Sequence, residues 1–461
     1  MEPELLELEE MLKLPSRRRI DEVRIAAILP AYNEEEGIAA SIESILSQTR
    51  PPDALFVIVN NSTDDSFSIA REYNGTHQLR YRDQVFTCVV SAIDMGVNPD
   101  KKVGALNFGW ALAEDYDYLL GVDGDTTLDP RCVEHLAEEM VDDSRIGGIS
   151  AIYGFDQSAA KGAVQSFLVR SQRFQFAGFN MDNLLRSRNM AVLGGQCSLL
   201  SVAAMRRTMH DNHQNAPWVT DSEIEDSLLS LQLRSAGYRT KISASARADV
   251  GPMTTVRALD AQQVKWNAGG VELILAQPLH PNLRLRWREN LAMLANLGTR
   301  GLFGMLAAAA LSIHAFEFAW WWSLPPVVAV LVNLRLARSI KVHTWRDIAY
   351  ALLLIPGETY MVMRGLHFLK AWAQVLGKQE HDNWAAQARA ESGGAMSTRW
   401  ILPFVGVVAT LAALAYGWAH LNVSLQSGIL AVGWVALAVL TIVQTLTMVK
   451  KLLRNQRGFR V

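Results

Sequence analysis

Cysteine is scarce: Cys88, Cys132 and Cys197 are the only three in 461 residues, too few and too scattered for a disulfide framework or a tetrahedral zinc site, and they fit a reducing compartment. Excess charge is missing as well. Lys and Arg number 44 against 46 Asp and Glu, a net charge of -2, so no basic surplus exists to neutralise phosphates and nucleic acid is excluded as a bulk electrostatic partner. Charged residues make up 20% and hydrophobic ones 50%, which rules out a disordered chain and points towards a membrane. The start lacks the cationic region of a secretory leader, because Glu2, Glu4, Glu7, Glu9 and Glu10 precede any cation; the N-terminal part is expected in the cytoplasm. Internal repeats and low-complexity tracts are absent too.

What is there divides by hydropathy. Residues 1–23 read as an acidic helical segment and 24–276 as a soluble α/β domain, in which apolar runs at 25–29, 55–59, 86–90 and 118–122 have the length of buried parallel strands. Helical periodicity at 37–47 and 102–114 supplies crossovers, so a doubly wound sheet is expected with its ligand site at the strand C-termini. Residues 277–300 read as an amphipathic interfacial linker and 301–461 as a transmembrane region. Cationic clusters around Arg300, Arg335, Arg364, Lys370 and Lys450 share the cytoplasmic side only if 302–334 and 401–449 form two hairpins, which also leaves the C-terminus cytoplasmic. The stretch 348–369 is then re-entrant or interfacial, since Pro356-Gly357-Glu358 would break a spanning helix; Glu358, His314 and Glu317 are ionisable groups without an assigned role. At 163–185, Phe167, Phe174 and Met181 recur every seven residues among Arg170, Arg173, Arg186 and Arg188, a pattern that fits a helix on an anionic membrane surface and equally a core-facing helix.

Chemistry begins with Asp123-Gly124-Asp125, directly after the 118–122 run. Two carboxylates one residue apart at a strand end present hard oxygens to Mg2+ or Mn2+, which can grip a diphosphate; a solvated turn at Gly124 would use the same residues. Upstream, Pro30-Ala31-Tyr32-Asn33-Glu34 and Asn60-Asn61-Ser62-Thr63-Asp64 follow the first two strands and offer amides and carboxylates to a base and a ribose, or caps to the next helices. The segment from Lys102 and Gly104 to Asn107 puts a cation and a glycine at a helix start, where the dipole and free N–H groups favour phosphate.

In this order the motifs resemble those of the family 2 glycosyltransferases, which include the synthases of cellulose, hyaluronan and poly-N-acetylglucosamine, over about residues 24–270. Gly194-Gly195-Gln196-Cys197 is similar to that family's acceptor-side glycine turn, and Ile224-Glu225-Asp226 with Gly237-Tyr238 to its E-D…G-Y element. Gln262-Gln263-Val264-Lys265-Trp266 looks like the Q-x-x-R-W signature of processive members, with Lys in place of Arg, which keeps the charge without the bidentate fork. The resemblance implies a GT-A catalytic domain, α/β and Rossmann-like with a mostly parallel sheet, followed by an α-helical transmembrane region. It also implies metal at Asp123 and Asp125, and donor contacts from Pro30, Tyr32, Glu34, Asn60, Asp64, Lys102, Asn107 and Gly124. The acceptor side falls to Gly194, Gly195, Gln196, Gln262, Lys265 and Trp266, and catalysis to Asp226 as general base with Glu225 beside it. Ser222 and Glu225 equally spell a capping box, with Asp221, Glu223 and Asp226 favoured in a first helical turn, and Trp266 could be an interfacial anchor. Asn60-Asn61 stand where many members carry an acidic pair, which weakens a carboxylate contact to uracil.

The expected activity is transfer of a hexose or N-acetylhexosamine from a UDP-sugar to a glycan or lipid-linked acceptor, assisted by Mn2+ or Mg2+. One positioned carboxylate suffices for direct, inverting displacement. The expected setting is the inner membrane, with the catalytic domain cytoplasmic, the lipid bilayer and a protein or glycan acceptor as partners, no nucleic acid, and a homo-oligomer as one arrangement. Alternatives are non-processive transfer of one or a few sugars to a protein or lipid and, more remotely, a membrane nucleotidyltransferase or an inactive binding protein.

Overall fold

The computed structural model describes residues 19–81, 84–156, 160–220, 224–377, 386–387, 389–390, 401–456 and 458–461. Most of the expected acidic helix at 1–23, and Asp221, Ser222 and Glu223 of the expected capping box, lie outside the described residues. The chain divides into two compact units, one of residues 1–159 and 175–252 with Val461, the other of residues 160–174 and 253–460.

The first unit is built on a nine-stranded mixed sheet. Its strands are β1 (Ile25–Ala31), β2 (Ala54–Val59), β3 (Gly75–Tyr81), β4 (Gln84–Asp94), β5 (Tyr118–Val122), β6 (Thr127–Leu128), β7 (Ile146–Phe155), β8 (Cys197–Ser201) and β9 (Arg239–Val250), in the spatial order β3-β4-β2-β1-β5-β8-β7-β9-β6. The four expected runs are β1, β2, β4 and β5, joined by parallel ladders. All seven residues of β1 are buried, which is why its sequence is continuously apolar instead of alternating. Its odd-numbered Ile25, Ala27 and Leu29 enter one core and its even-numbered Ala26 and Ile28 the other, so helices cover both faces. Those helices are α1 (Ile38–Leu46), α2 (Ser66–Arg71), α3 (Lys101–Ala113), α4 (Cys132–Asp142), α5 (Gly162–Leu184), α6 (Val202–Asp211) and α7 (Glu225–Ser235), of which α5 runs from one unit into the other. Because β1 is flanked by β2 on one side and β5 on the other, the chain leaves these strands in opposite directions and opens a crevice at their C-terminal ends. Hence the expected α/β class, in which β8 adds an antiparallel partner to β5.

The second unit is helical: α8 (Val256–Ala276), α9 (Arg284–Ser312), α10 (Leu324–Ser339), α11 (Trp345–Leu352), α12 (Leu354–Leu376), α13 (Ile401–Ala419) and α14 (Val423–Leu453). Among the described residues two helices are long and apolar enough to cross a membrane, Pro281–Ser312 and Val423–Leu453. The expected interfacial linker at 277–300 is therefore not separate, since most of it runs without a break into the first apolar stretch. The return arm of the expected 302–334 hairpin is shorter: α10, with 16 residues, rises about 24 Å, less than the ~30 Å of a hydrocarbon core. In 348–369 the chain breaks at Leu353, between α11 and α12, and Pro356 sits in the first turn of α12, where its missing N–H costs no intrahelical bond. Glu358 is paired there with Arg300 on α9, each carboxylate oxygen accepting one guanidinium N–H at 2.9 Å.

The stretch at 163–185 is α5, and its basic residues are used within the protein. Arg170 Nε and Arg173 Nη1 each donate to Asp347 at 3.0 Å, and Leu168 packs with Leu259 and Tyr360. That is the core-facing alternative.

Candidate active site

The turn after β5 is fixed by the backbone. Asp123 N–H donates to Gln196 O at 3.3 Å, Thr126 N–H closes onto Asp123 O at 3.1 Å, and Ser41 Oγ of α1 donates to Gly124 O at 2.7 Å. Gly124 is required by close approach, because a Cβ there would lie 2.9 Å from Cγ of Glu34 in the loop after β1. A Cβ on Gly251, just past β9, would lie 2.5 Å from Asp125 Oδ2, so this glycine leaves the carboxylate a cradle that any other residue would fill.

Charge converges beside this turn. Lys102 Nζ, at the start of α3, lies 2.6 Å from Asp123 Oδ1 and 3.9 Å from Glu225 Oε1 in the first turn of α7. A Cβ on Gly195 would meet Asp226 Oδ2 at 2.7 Å, Lys102 Nζ at 3.0 Å and Asp123 Oδ1 at 3.5 Å, so the Gly194-Gly195 turn lies directly over the cluster. Tyr153 Oη supports that turn from below by donating to Gly194 O at 3.1 Å.

The electrostatics follow from burial and like charge. Burial, then the charge of Glu225, push the Asp226 carboxyl up to about 8, with Asp123 adding to the rise and Lys102 opposing it. Burial and Asp123 push Asp125 up to about 6. For Lys102 burial alone would favour the neutral amine, but Asp123, Glu225 and Asp226 together outweigh it and hold its pKa above the ordinary value. Two carboxylates one residue apart, one of them facing the cradle left by Gly251, are hard oxygen donors of the kind a divalent cation takes. Among the described residues no third His, Cys, Asp or Glu completes a group with Asp123 and Asp125, so other oxygens would have to fill the remaining positions.

The two loops after β1 and β2 are stitched to each other. Asn33 and Asn61 take left-handed backbone conformations, with φ of 52° and 53°, and Thr63 N–H donates to Asn33 Oδ1 at 2.8 Å. Asp64 accepts from Glu35 N at 3.1 Å and from Ser66 Oγ at 2.6 Å, while the buried Asn60 donates to Ala31 O at 3.2 Å. Tyr32 is 45% exposed at the crevice, whereas Pro30 is buried inside β1. Asn107 is turned to Trp218: its Nδ2 donates to Trp218 O at 2.8 Å and its Oδ1 accepts from Trp218 N at 3.2 Å.

The structure thus brings together Asp123, Gly124, Asp125, Glu34, Lys102, Gly194, Gly195, Gln196, Glu225 and Asp226 in the first unit. Gln262, Lys265 and Trp266 stand on α8 in the second. There Gln262 and Trp266, four apart, share one side of the helix, and Asp260 on another side is held by Lys370 Nζ at 2.6 Å and His367 Nε2 at 3.4 Å. Gly251, Ser41 and Tyr153 were not among the sequence candidates. Gly251 follows β9, a strand outside the four recognised runs, and nothing in the local sequence marks Ser41 or Tyr153.

Residues 26–208 match the family model described as glycosyl transferase family 2, and residues 118–334 match glycosyl transferase family group 2. The chain is 26% identical over 255 residues to a poly-beta-1,6-N-acetyl-D-glucosamine synthase of Staphylococcus epidermidis, covering 54% of this chain and 55% of that one. It is 26% identical over 261 residues to the synthase of the same name from Staphylococcus aureus strain COL, covering 56% and 57%. The match therefore spans about half the length of these curated relatives. Among solved structures, a mannosyltransferase of Pyrobaculum calidifontis in complex with GDP-mannose and Mn2+ aligns at a TM-score of 0.47 with 18% identity, over 81% of this chain and 94% of that one.

Proposed function

This chain carries a family 2 glycosyltransferase domain, and from that premise we propose that it transfers a hexose or N-acetylhexosamine from a UDP-sugar to a glycan or lipid-linked acceptor by direct, inverting displacement. The reading rests on one observation above the others: Lys102, Asp123 and Asp226 converge under Gly195 with Asp125 in the adjoining turn. Asp226 takes the proton of the acceptor hydroxyl at Oδ2, and burial makes that oxygen a stronger base than an exposed carboxylate. Lys102 keeps Asp123 oriented and supplies positive charge on the side where the diphosphate departs. Asp123 and Asp125 would hold Mn2+ or Mg2+, which when bound supplies Lewis-acid stabilisation of the leaving diphosphate. The Gly194-Gly195 turn, without side chains, lets the acceptor approach Asp226. In the helical unit, considered by itself, Gln262 and Trp266 are proposed as a sugar-binding face of α8, with a hydrogen bond and a stacked ring, while Lys265 between them is buried.

Membrane residence belongs to the same reading. α9 and α14 turn outward large apolar side chains, among them Leu291, Met305 and Leu311 on the first and Val432, Val435 and Ile442 on the second, a surface that suits acyl chains and not water. The proposed setting is the inner membrane with the catalytic domain and C-terminus on the cytoplasmic side. Lys265 in place of the family's arginine favours, as a second reading, a non-processive enzyme adding one or a few sugars.

The test is release of nucleoside diphosphate by the purified protein in detergent, across a panel of UDP-sugars together with GDP-mannose, with Mn2+ or Mg2+. One UDP-sugar turned over well above the rest, and not after chelation by EDTA, is the expected result, with UDP-N-acetylglucosamine the first to try because of the relatives' name. Turnover of GDP-mannose alone would refute the nucleotide, pyrophosphate release would refute sugar transfer, and product length on a gel separates polymerisation from single addition.

A further inference from the structure

We propose that the helical unit binds one zwitterionic aminophospholipid, with an acyl chain in the apolar cavity between α9, α10 and α12 and the head group on the Arg300–Glu358 pair. The inference rests on the membrane residence proposed above. The cavity holds about 480 Å³ and is walled by side chains such as Phe303, Phe316, Phe318, Trp322, Leu331 and Leu354. Among the described residues Ser323 is the one hydroxyl-bearing residue in its lining, and its Oγ already donates to Trp320 O at 2.6 Å. A water there would find no partners, and a sugar or nucleotide would lose its hydrogen bonds on entry. The protein leaves the walls open, with Phe318 72% exposed. In a unit whose two longest helices are apolar enough to cross a bilayer, a hydrocarbon chain is the filler at hand.

A charged pair stands one helical turn from the cavity lining on two of its helices. Phe303 stands one turn after Arg300 on α9 and Leu354 one turn before Glu358 on α12, spacings that put each pair on one helix face. Asn333, on the same helix as Leu331, lies 4.0 Å from where a Cβ of Gly357 would be, so all three helices turn polar together. Arg300 and Glu358 satisfy each other through two bonds of 2.9 Å, and their side chains remain 35% and 49% exposed. A head group carrying one charge would leave one partner uncompensated. A head group carrying both matches the pair: phosphate oxygens accept from Arg300 and an ammonium donates to Glu358. Phosphatidylethanolamine meets that demand, phosphatidylglycerol lacks the cation, and phosphatidylcholine has no N–H to donate.

The experiment is native mass spectrometry of the full chain, delipidated in detergent and then exposed to equal amounts of the three lipids. One phosphatidylethanolamine per chain is expected, retained about tenfold over the other two, the effect of one charge-assisted hydrogen bond. Leu331→Trp, which fills the cavity, is expected to abolish retention, and Glu358→Gln to move the preference to phosphatidylglycerol. Should Leu331→Trp not fold, Val327→Trp fills the same cavity. Equal retention of all three lipids, no retained lipid, a wild-type preference for phosphatidylglycerol or phosphatidylcholine, or retention unaffected by a filled cavity would each overturn the proposal. Release of the protein from membranes by alkali without detergent would overturn the membrane reading instead.

Discussion

Lys102 and Asp123 form a 2.6 Å ion pair directly beneath the backbone of Gly195, and the same ammonium lies 3.9 Å from Glu225. One cation thus balances a cluster of three buried or half-buried carboxylates, Asp123, Glu225 and Asp226. Lys102→Met removes that balance. It should lower kcat by about 10²–10³-fold, as loss of a transition-state donor does, and destabilise the fold by about 3–5 kcal/mol through uncompensated buried charge. Lys102→Arg should keep most of the stability and little of the rate. Kinetics of UDP release together with thermal melts check both; a Met variant with unchanged kcat would remove the lysine from the mechanism.

Gly195→Ala tests the opening over the site. The added methyl would press on the tips of Asp226 and Lys102, which are flexible ends and not backbone, so the fold should survive with a small change in Tm. Displacing the base by even 1 Å costs on the order of 10²-fold in rate, and acceptor-dependent transfer should fall by at least that much. Donor hydrolysis by water, which needs less room, should fall less. Equal loss of both activities would show that the turn does not face the acceptor.

Asp226 gives a pH signature. Its carboxyl is raised to about 8 in the fold, against 3.8 when the chain is unfolded, so between these values the folded protein binds more protons than the unfolded one. Stability from this group is therefore lost as pH rises through that window. Asp226→Asn should abolish transfer yet flatten the decline between pH 6 and pH 8, and melt higher at pH 8 by on the order of 3 °C, the shift ~1 kcal/mol produces in a domain of this size. Melts across that range in the absence of donor and metal decide it; parallel curves for wild type and variant would mean that Asp226 is ionised throughout.

The sheet and the Asp123-Gly124-Asp125 turn were legible because they leave local marks. A strand buried on both faces, like β1, must be apolar without interruption, and a carboxylate pair must follow its strand immediately. β3, β6, β7, β8 and β9 leave no such mark, since their pairing is set by distant partners: β8, for instance, is fixed between β5 and β7. Asn107 carries the family pattern, yet the structure turns its amide to Trp218, 111 residues away, and no local signal records such a contact. The break near Pro356 was legible only to within three residues, because a proline is tolerated in a first helical turn as readily as it ends a helix. Glu358, suspect as a lone charge among apolar residues, gained a partner only through the packing of α9 on α12.

Asp347 offers the sharpest test of what holds the helical unit together. Its side chain is fully buried and accepts from Arg170 and Arg173 at 3.0 Å each, and from Thr344 N and Oγ1 at 2.7 and 2.9 Å, where it also caps α11. Two guanidinium groups against one carboxylate leave the cluster cationic, so deleting the carboxylate strands both arginines in a region with little water. Asp347→Ala should cost about 3–5 kcal/mol, the range found when a buried pair loses one member. Replacing the arginines as well, in an Arg170→Leu, Arg173→Leu and Asp347→Ala triple variant, should recover much of that loss, because apolar groups of similar size need no partner. Differential scanning calorimetry in detergent reads both. A single variant that melts with wild type would show that solvent reaches the arginines, and a triple variant worse than the single one would show that their stems, not their charges, carry the packing.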